Sequence, residues 1–210
     1  PDGRRLVYVR WGPKGNDVFT YDLERKVEQR LTGDEGDEYW PIFTPDGRRV
    51  VYNSNRGGRK FVTLDWRAAD GSGAPDSLVT GRSHQQAAGW AAGGTELVYS
   101  EGMNDSTSMD IWILPMTGSR TPRPLMRSRY LEAYPAVSPD GKWLAWVSDA
   151  TGRPEVMVRR YPDGTDVQVS RDGALEPAWG PLGRELFFRD MSGRRMFADD
   201  VTACIGFLPD

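Results

Sequence analysis

Four positions carry the side chains best suited to hold a cation or a basic peptide. Glu38, Gln85 and Glu132 each stand three residues before a shared register at Pro41, Ala88 and Pro135. At the fourth member of that register, Pro177, Ala174 takes the matching place and Glu176 precedes the proline directly. Carboxylates and carboxamides that recur in this way attract ammonium or guanidinium groups if a fold brings them to one opening. His84, beside Gln85, adds the only imidazole of the chain. Asn104, Asp105, Ser106 and Asp110 place several hard oxygens in one segment, the ligand type that calcium prefers. Their spacing does not match the twelve-residue calcium loop, so no metal is expected, with Asn104, Asp105 and Asp110 the oxygens a calcium ion would use.

Other chemistry is poorly supplied. A Ser-His-Asp hydrolase needs an imidazole beside a nucleophile, and neither a Gly-x-Ser-x-Gly elbow nor a second histidine is present; Gly71-Ser72-Gly73 has loop composition instead. Cys204 is the only cysteine, so no intrachain disulfide can form and no paired base marks it as a nucleophile. No phosphate-cradling Gly-x-x-x-x-Gly-Lys-Ser/Thr occurs. Catalytic residues and cofactors are therefore expected to be none. Lys and Arg number 27 against 30 Asp and Glu, a formal net charge of -3, which leaves no basic footprint for nucleic acid or an anionic membrane. No apolar run approaches the roughly 20 residues that span a bilayer.

The elements that must position these residues are strands. Ala136 to Trp146 reads as a strand, a Pro139-Asp140-Gly141 turn and a second alternating strand, and Phe43 to Tyr52 repeats the pattern around Pro45-Asp46-Gly47. Trp90 to Tyr99 and Trp179 to Phe188 are worn copies, and the chain opens inside another at Pro1-Asp2-Gly3. The turn glycines Gly3, Gly47, Gly94, Gly141 and Gly183 are separated by 44, 47, 47 and 42 residues, a period of repeat architectures. Asp46 and Asp140 are explained as turn makers. Five residues after each glycine stand Tyr8, Tyr52, Tyr99, Trp146 and Phe188, and four before stand Phe43, Trp90, Val137 and Trp179. Large side chains at fixed places on neighbouring strands fill the space between stacked sheets, so both sets are expected in the core. Gly, Pro and Asp interrupt every candidate helix.

Leu131 to Ser148 resembles the repeat of TolB-type propellers, and such repeats cover the whole chain. Gly152 to Arg159, Glu176 to Trp179 and Gly183 to Arg189 look most like the propellers appended to bacterial membrane-anchored serine/threonine protein kinases and related transcription regulators. The resemblance implies an all-β fold, a β-propeller of four-stranded blades, with 1–210 as one domain, complete or partial. The repeats fall at approximately 1–36, 37–82, 83–130, 131–172 and 173–210. Propellers of this type have six or seven blades, so further blades, or a homodimer if the ring is incomplete, are expected. In that architecture the inner strands enter near the central channel, which puts Glu38, His84, Gln85, Glu132 and Glu176 at a ligand-binding rim. The function implied is non-enzymatic, either protein interaction or ligand sensing, within a larger bacterial protein in the periplasm or another extracytoplasmic space. It carries a protein or peptide partner, no nucleic acid and no membrane insertion of this segment. The alternative is a propeller gating a serine peptidase or other hydrolase whose catalytic domain lies elsewhere.

Overall fold

The computed structural model describes residues 2–13, 15–33, 36–81, 83–102 and 108–201. They form five antiparallel sheets, each running in chain order. The first holds β1 (Arg5–Gly12), β2 (Gly15–Asp22) and β3 (Val27–Arg30); the second holds β4 (Glu38–Phe43), β5 (Arg49–Ser54), β6 (Thr63–Ala68) and β7 (Asp76–Val79). The third is β8 (His84–Ala91), β9 (Glu96–Gly102), β10 (Asp110–Pro115) and β11 (Arg123–Met126). The fourth is β12 (Glu132–Val137), β13 (Trp143–Ser148), β14 (Glu155–Arg160) and β15 (Val167–Gln168), and the fifth is β16 (Ala174–Trp179), β17 (Glu185–Asp190) and β18 (Met196–Asp200). This is the all-β meander expected of propeller blades. Single 3-10 turns, Arg56–Gly58 and Ala92–Gly94, occupy places read as turns in the sequence.

The repeating hairpin is built by two side chains and one glycine. Thr44 donates its hydroxyl to Asp46 Oδ1 at 2.6 Å and accepts the Arg49 N–H at 3.0 Å, while Asp46 Oδ1 accepts the Arg48 N–H at 3.0 Å. Ser138, Asp140, Lys142 and Trp143 repeat the arrangement. Gly47 and Gly141 take φ of +66° and +71°, which a side chain would oppose. These bonds hold the Asp46 carboxyl below the ordinary aspartate range, the Thr44 hydroxyl first and the Arg48 N–H next.

The chain divides into two compact units, one of residues 1–87 and 101–105, the other of 88–100 and 106–210. In the first, Val18, Leu31, Val50, Tyr52 and Ala69 form a core between the first two sheets, with Val7 and Phe43 packed against it. In the second, Ala91, Val98, Ile111, Leu144 and Trp146 form one core, and Ala145, Val147, Val156, Val158, Leu186 and Phe188 contribute to another between the fourth and fifth sheets. Tyr52, Tyr99, Trp146 and Phe188 are buried as the repeat register requires, whereas Tyr8 is only half-buried.

Candidate functional site

Three inner strands share a distortion at one register. Tyr39 pairs with Asn53 and Ile42 with Val51, so Trp40 and Pro41 oppose Tyr52 alone. Tyr134 and Pro135 likewise oppose Trp146, and Glu176 and Pro177 oppose Phe188. Proline has no N–H for the ladder, and a bulge accommodates it by setting two residues against one. The residue before each proline is left-handed: φ is +45° at Trp40, +50° at Tyr134 and +55° at Glu176. Bulky side chains in this region cost of order 1–3 kcal/mol each. All three are exposed. Ala87, at the matching place in the third sheet, is not left-handed. Bulges of this kind re-aim a side chain, and here they turn Trp40, Tyr134 and Glu176 outward. Within the second unit, the Trp179 indole donates to the Ala136 carbonyl at 2.9 Å, which ties β16 to β12 and sets Tyr134 and Glu176 on adjacent inner strands. Arg189 pairs with Glu176.

Of the residues expected at the ligand-binding rim, Glu176 is exposed, His84 is half-buried and the other three are buried. Glu38, Gln85 and Glu132 are 1%, 2% and 5% exposed. Each starts or nearly starts an inner strand, and each is held by groups on other strands. Glu38 Oε1 accepts the Ser54 hydroxyl at 3.1 Å. Gln85 Oε1 accepts the Leu64 N–H at 3.2 Å, and its amide donates to Glu101 at 3.3 Å. Glu132 accepts from Ser128 at 3.0 Å and from the Trp146 indole at 2.7 Å. Burial is the largest influence on the Glu132 carboxyl and raises it above the ordinary glutamate range against these bonds. His84 is half-buried, accepts the Val62 N–H on Nδ1 at 3.3 Å and meets the Phe61 ring edge-on. Of the calcium candidates, Asn104 and Asp105 lie outside the described residues, as does Cys204, and Asp110 stands 3.8 Å from the Arg127 guanidinium. Among the described residues no group of three His, Cys, Asp or Glu side chains is placed to hold a metal ion.

A second feature, in the first unit, was not singled out from the sequence. Trp11 at the end of β1 is 76% exposed and Trp40 is 53% exposed. Tyr39 lies against both, its ring centroid 6.0 Å from Trp11 and 5.4 Å from Trp40, with interplanar angles of 62° and 39°. The strip is fixed from below. Asn16, which pairs with Trp11 across the hairpin, donates its N–H to Asp37 Oδ1 at 3.1 Å, and the Asp37 N–H donates to Asn55 Oδ1 at 2.7 Å. The sequence signal was available as Trp40-Pro41, Tyr134-Pro135 and Glu176-Pro177, an X-Pro pair inside each strand.

No family model matches the chain. Over 89 residues it is 32% identical to a TolB homolog of Chlorobaculum tepidum, a stretch that covers 42% of this chain and 20% of that protein. The structure superposes on TolB from Acinetobacter baumannii with a TM-score of 0.78 at 16% identity, over 96% of this chain and 51% of the other. A TolB-like propeller relationship is thereby supported. A prolyl endopeptidase structure also matches, with a TM-score of 0.67 at 15% identity, over 95% of this chain and 33% of that one. The chain thus spans about half the length of that TolB structure and a third of the prolyl endopeptidase. Among the described residues no helix is long and apolar enough to cross a membrane.

Proposed function

We propose that the chain is a non-enzymatic interaction segment of a larger bacterial propeller protein, in which each unit separately presents side chains from its own inner-strand bulges to protein or peptide partners outside the cytoplasm. The observation that carries this reading is the left-handed residue before proline at Trp40, Tyr134 and Glu176. Three strained, outward-facing side chains at one register are costly for stability alone, and strain of this kind clusters at ligand-facing positions. Similarity to TolB supports the extracytoplasmic interaction role. The finer reading, a propeller of the kind appended to bacterial kinases, belongs to the same proposal. So does a homodimer that would complete an open ring. Of the residues expected at the rim, Glu176 keeps an exposed place in it.

A photo-crosslinking side chain introduced at position 40, 134 or 176 tests the reading in cells that express the whole protein. A discrete adduct from these positions, absent when the probe stands at the exposed hairpin residue Leu182, is the expected outcome. Equal labelling from position 182, or no adduct at all, would overturn it. The match to a prolyl endopeptidase favours a second reading, a propeller that gates a hydrolase. Adducts formed only with a catalytic domain of the same polypeptide would select it.

A further inference from the structure

We propose that Trp11, Tyr39 and Trp40, with Asp37 at their edge, form a docking site for an extended, proline-rich peptide segment that carries a basic residue. The proposal rests on the interaction reading above and names its partner class. Two tryptophans this exposed, together with a half-buried tyrosine, form a contiguous aromatic surface on the first unit. Trp40 is held outward at a left-handed φ that only the bulge imposes.

The chemistry of the surface selects the occupant. Among the described residues, the indole N–H groups of Trp11 and Trp40 and the Tyr39 hydroxyl have no hydrogen-bond partner, so three donors stand on an apolar face. A polyproline II segment makes no internal hydrogen bonds, offers its carbonyls to such donors and lays flat pyrrolidine rings against aromatic ridges. The Tyr39 centroid lies 6.0 Å and 5.4 Å from those of Trp11 and Trp40, the ordinary spacing of packed rings, so the three rings form one continuous face for such a segment to lie on. Asp37 completes the fit. Its Oδ1 is occupied by the Asn16 N–H, while its carboxylate has no ion-pair partner among the described residues, leaving it to meet a lysine or arginine of the ligand.

The test uses the full chain and three nonapeptides, built from three repeats of Pro-Pro-Arg, Gly-Gly-Arg or Pro-Pro-Glu, with a cello-oligosaccharide as a fourth probe. Binding is read by tryptophan fluorescence and calorimetry. Saturable binding of the Pro-Pro-Arg peptide about tenfold tighter than the other two is expected, with a loss of about tenfold in Trp11→Ala, as for an aromatic anchor. Asp37→Asn should weaken the Pro-Pro-Arg peptide about threefold and leave the Pro-Pro-Glu peptide unchanged or improved. Thermal unfolding of each variant checks that the fold persists, and Trp40→Phe serves as a milder second variant. Equal binding of the Gly-Gly-Arg peptide would reduce the site to charge attraction, and binding of the saccharide alone would make it a sugar platform. Either result, or no binding, overturns the proposal. If crosslinking at positions 134 and 176 still yields a partner in that case, only the occupant assigned here fails.

Discussion

The indole N–H of Trp146 donates to the Glu132 carboxylate at 2.7 Å, inside the fourth sheet and four residues from the Ser128 hydroxyl that donates to the other carboxylate oxygen at 3.0 Å. A carboxylate is thereby satisfied in a place that water scarcely reaches. Burial still dominates and raises its pKa, hydrogen bonds from Ser128, Trp146 and Ser148 pull the other way, and the Asp166 charge adds to the rise. The sign follows from proton binding. Between the ordinary glutamate value and the raised folded value the native state holds more protons than the unfolded one, so stability falls as pH rises through that window. Glu132→Gln keeps an acceptor for the indole and removes the charge. Its unfolding free energy should therefore gain on the wild type as pH rises above the ordinary glutamate range, and its pH profile should be flatter, as urea melts at pH 4 to 8 would show. A variant that is less stable than the wild type by a constant amount at every pH would contradict the assignment.

Asp65 supports a different buried charge. It is fully buried in β6, pairs with Arg56, meets Arg59 Nη1 at 2.9 Å and accepts the Ser77 hydroxyl at 2.9 Å. Removing the carboxylate leaves two guanidinium groups together, and a broken buried pair costs about 3–5 kcal/mol. Both arginines are about a quarter exposed, so solvent offsets part of that loss. Asp65→Asn should cost about 2–3 kcal/mol by denaturant melts, nearly independent of salt because the carboxylate is buried. A cost that vanishes in high salt would mark the pairs as solvent-screened.

Much of the fold is legible in the sequence because its signals are local. Thr44-Pro45-Asp46-Gly47 and Ser138-Pro139-Asp140-Gly141 contain the side chains their turns use, and the backbone N–H groups those side chains accept follow within the next two residues. The aromatic places opposite the bulges are equally visible, since alternation fixes which face Tyr52 and Trp146 take. The rim was less legible. β4, β12 and β16 begin at Glu38, Glu132 and Ala174, three residues before their prolines, but nothing read from the sequence anticipates that each strand passes through its proline by bulging. The partners that draw Glu38 and Glu132 inside, Ser54 and Trp146, arrive from the next strand. The Trp11–Tyr39 contact joins two sheets and has no local signature.

Gly15 decides how close the β1–β2 hairpin comes to the start of β4. Its φ is +131°, and a Cβ there would lie 2.4 Å from the Gly36 carbonyl oxygen, inside any real contact. Gly15→Ala must push the two segments apart, weakening the Asn16 to Asp37 hydrogen bond and separating Trp11 from Tyr39. A loss of about 1–3 kcal/mol, together with a shift in tryptophan emission, is expected. An unchanged melt and spectrum would show that the hairpin tip is not held against this loop.

The bulge residues allow a prediction that reverses an ordinary rule. Within a strand, glycine is less stable than alanine by roughly 0.5–1 kcal/mol because it loses more backbone freedom on folding. At Trp40, Tyr134 and Glu176 the backbone is already left-handed. Alanine there retains the strain and removes the side chain, whereas glycine relieves the strain. The glycine variant should therefore exceed the alanine variant in stability by about 1 kcal/mol at each of the three positions. The contrast is cleanest at Glu176, whose only ion pair among the described residues is an exposed one to Arg189 and so contributes about 0–1 kcal/mol in either variant's loss. At Ala87, where the inner strand of the third sheet has no left-handed residue, glycine should be the less stable choice relative to the native alanine. If glycine proves worse than alanine at all three bulges, the left-handed geometry is not under strain, and its cost no longer argues that these side chains are kept for a partner.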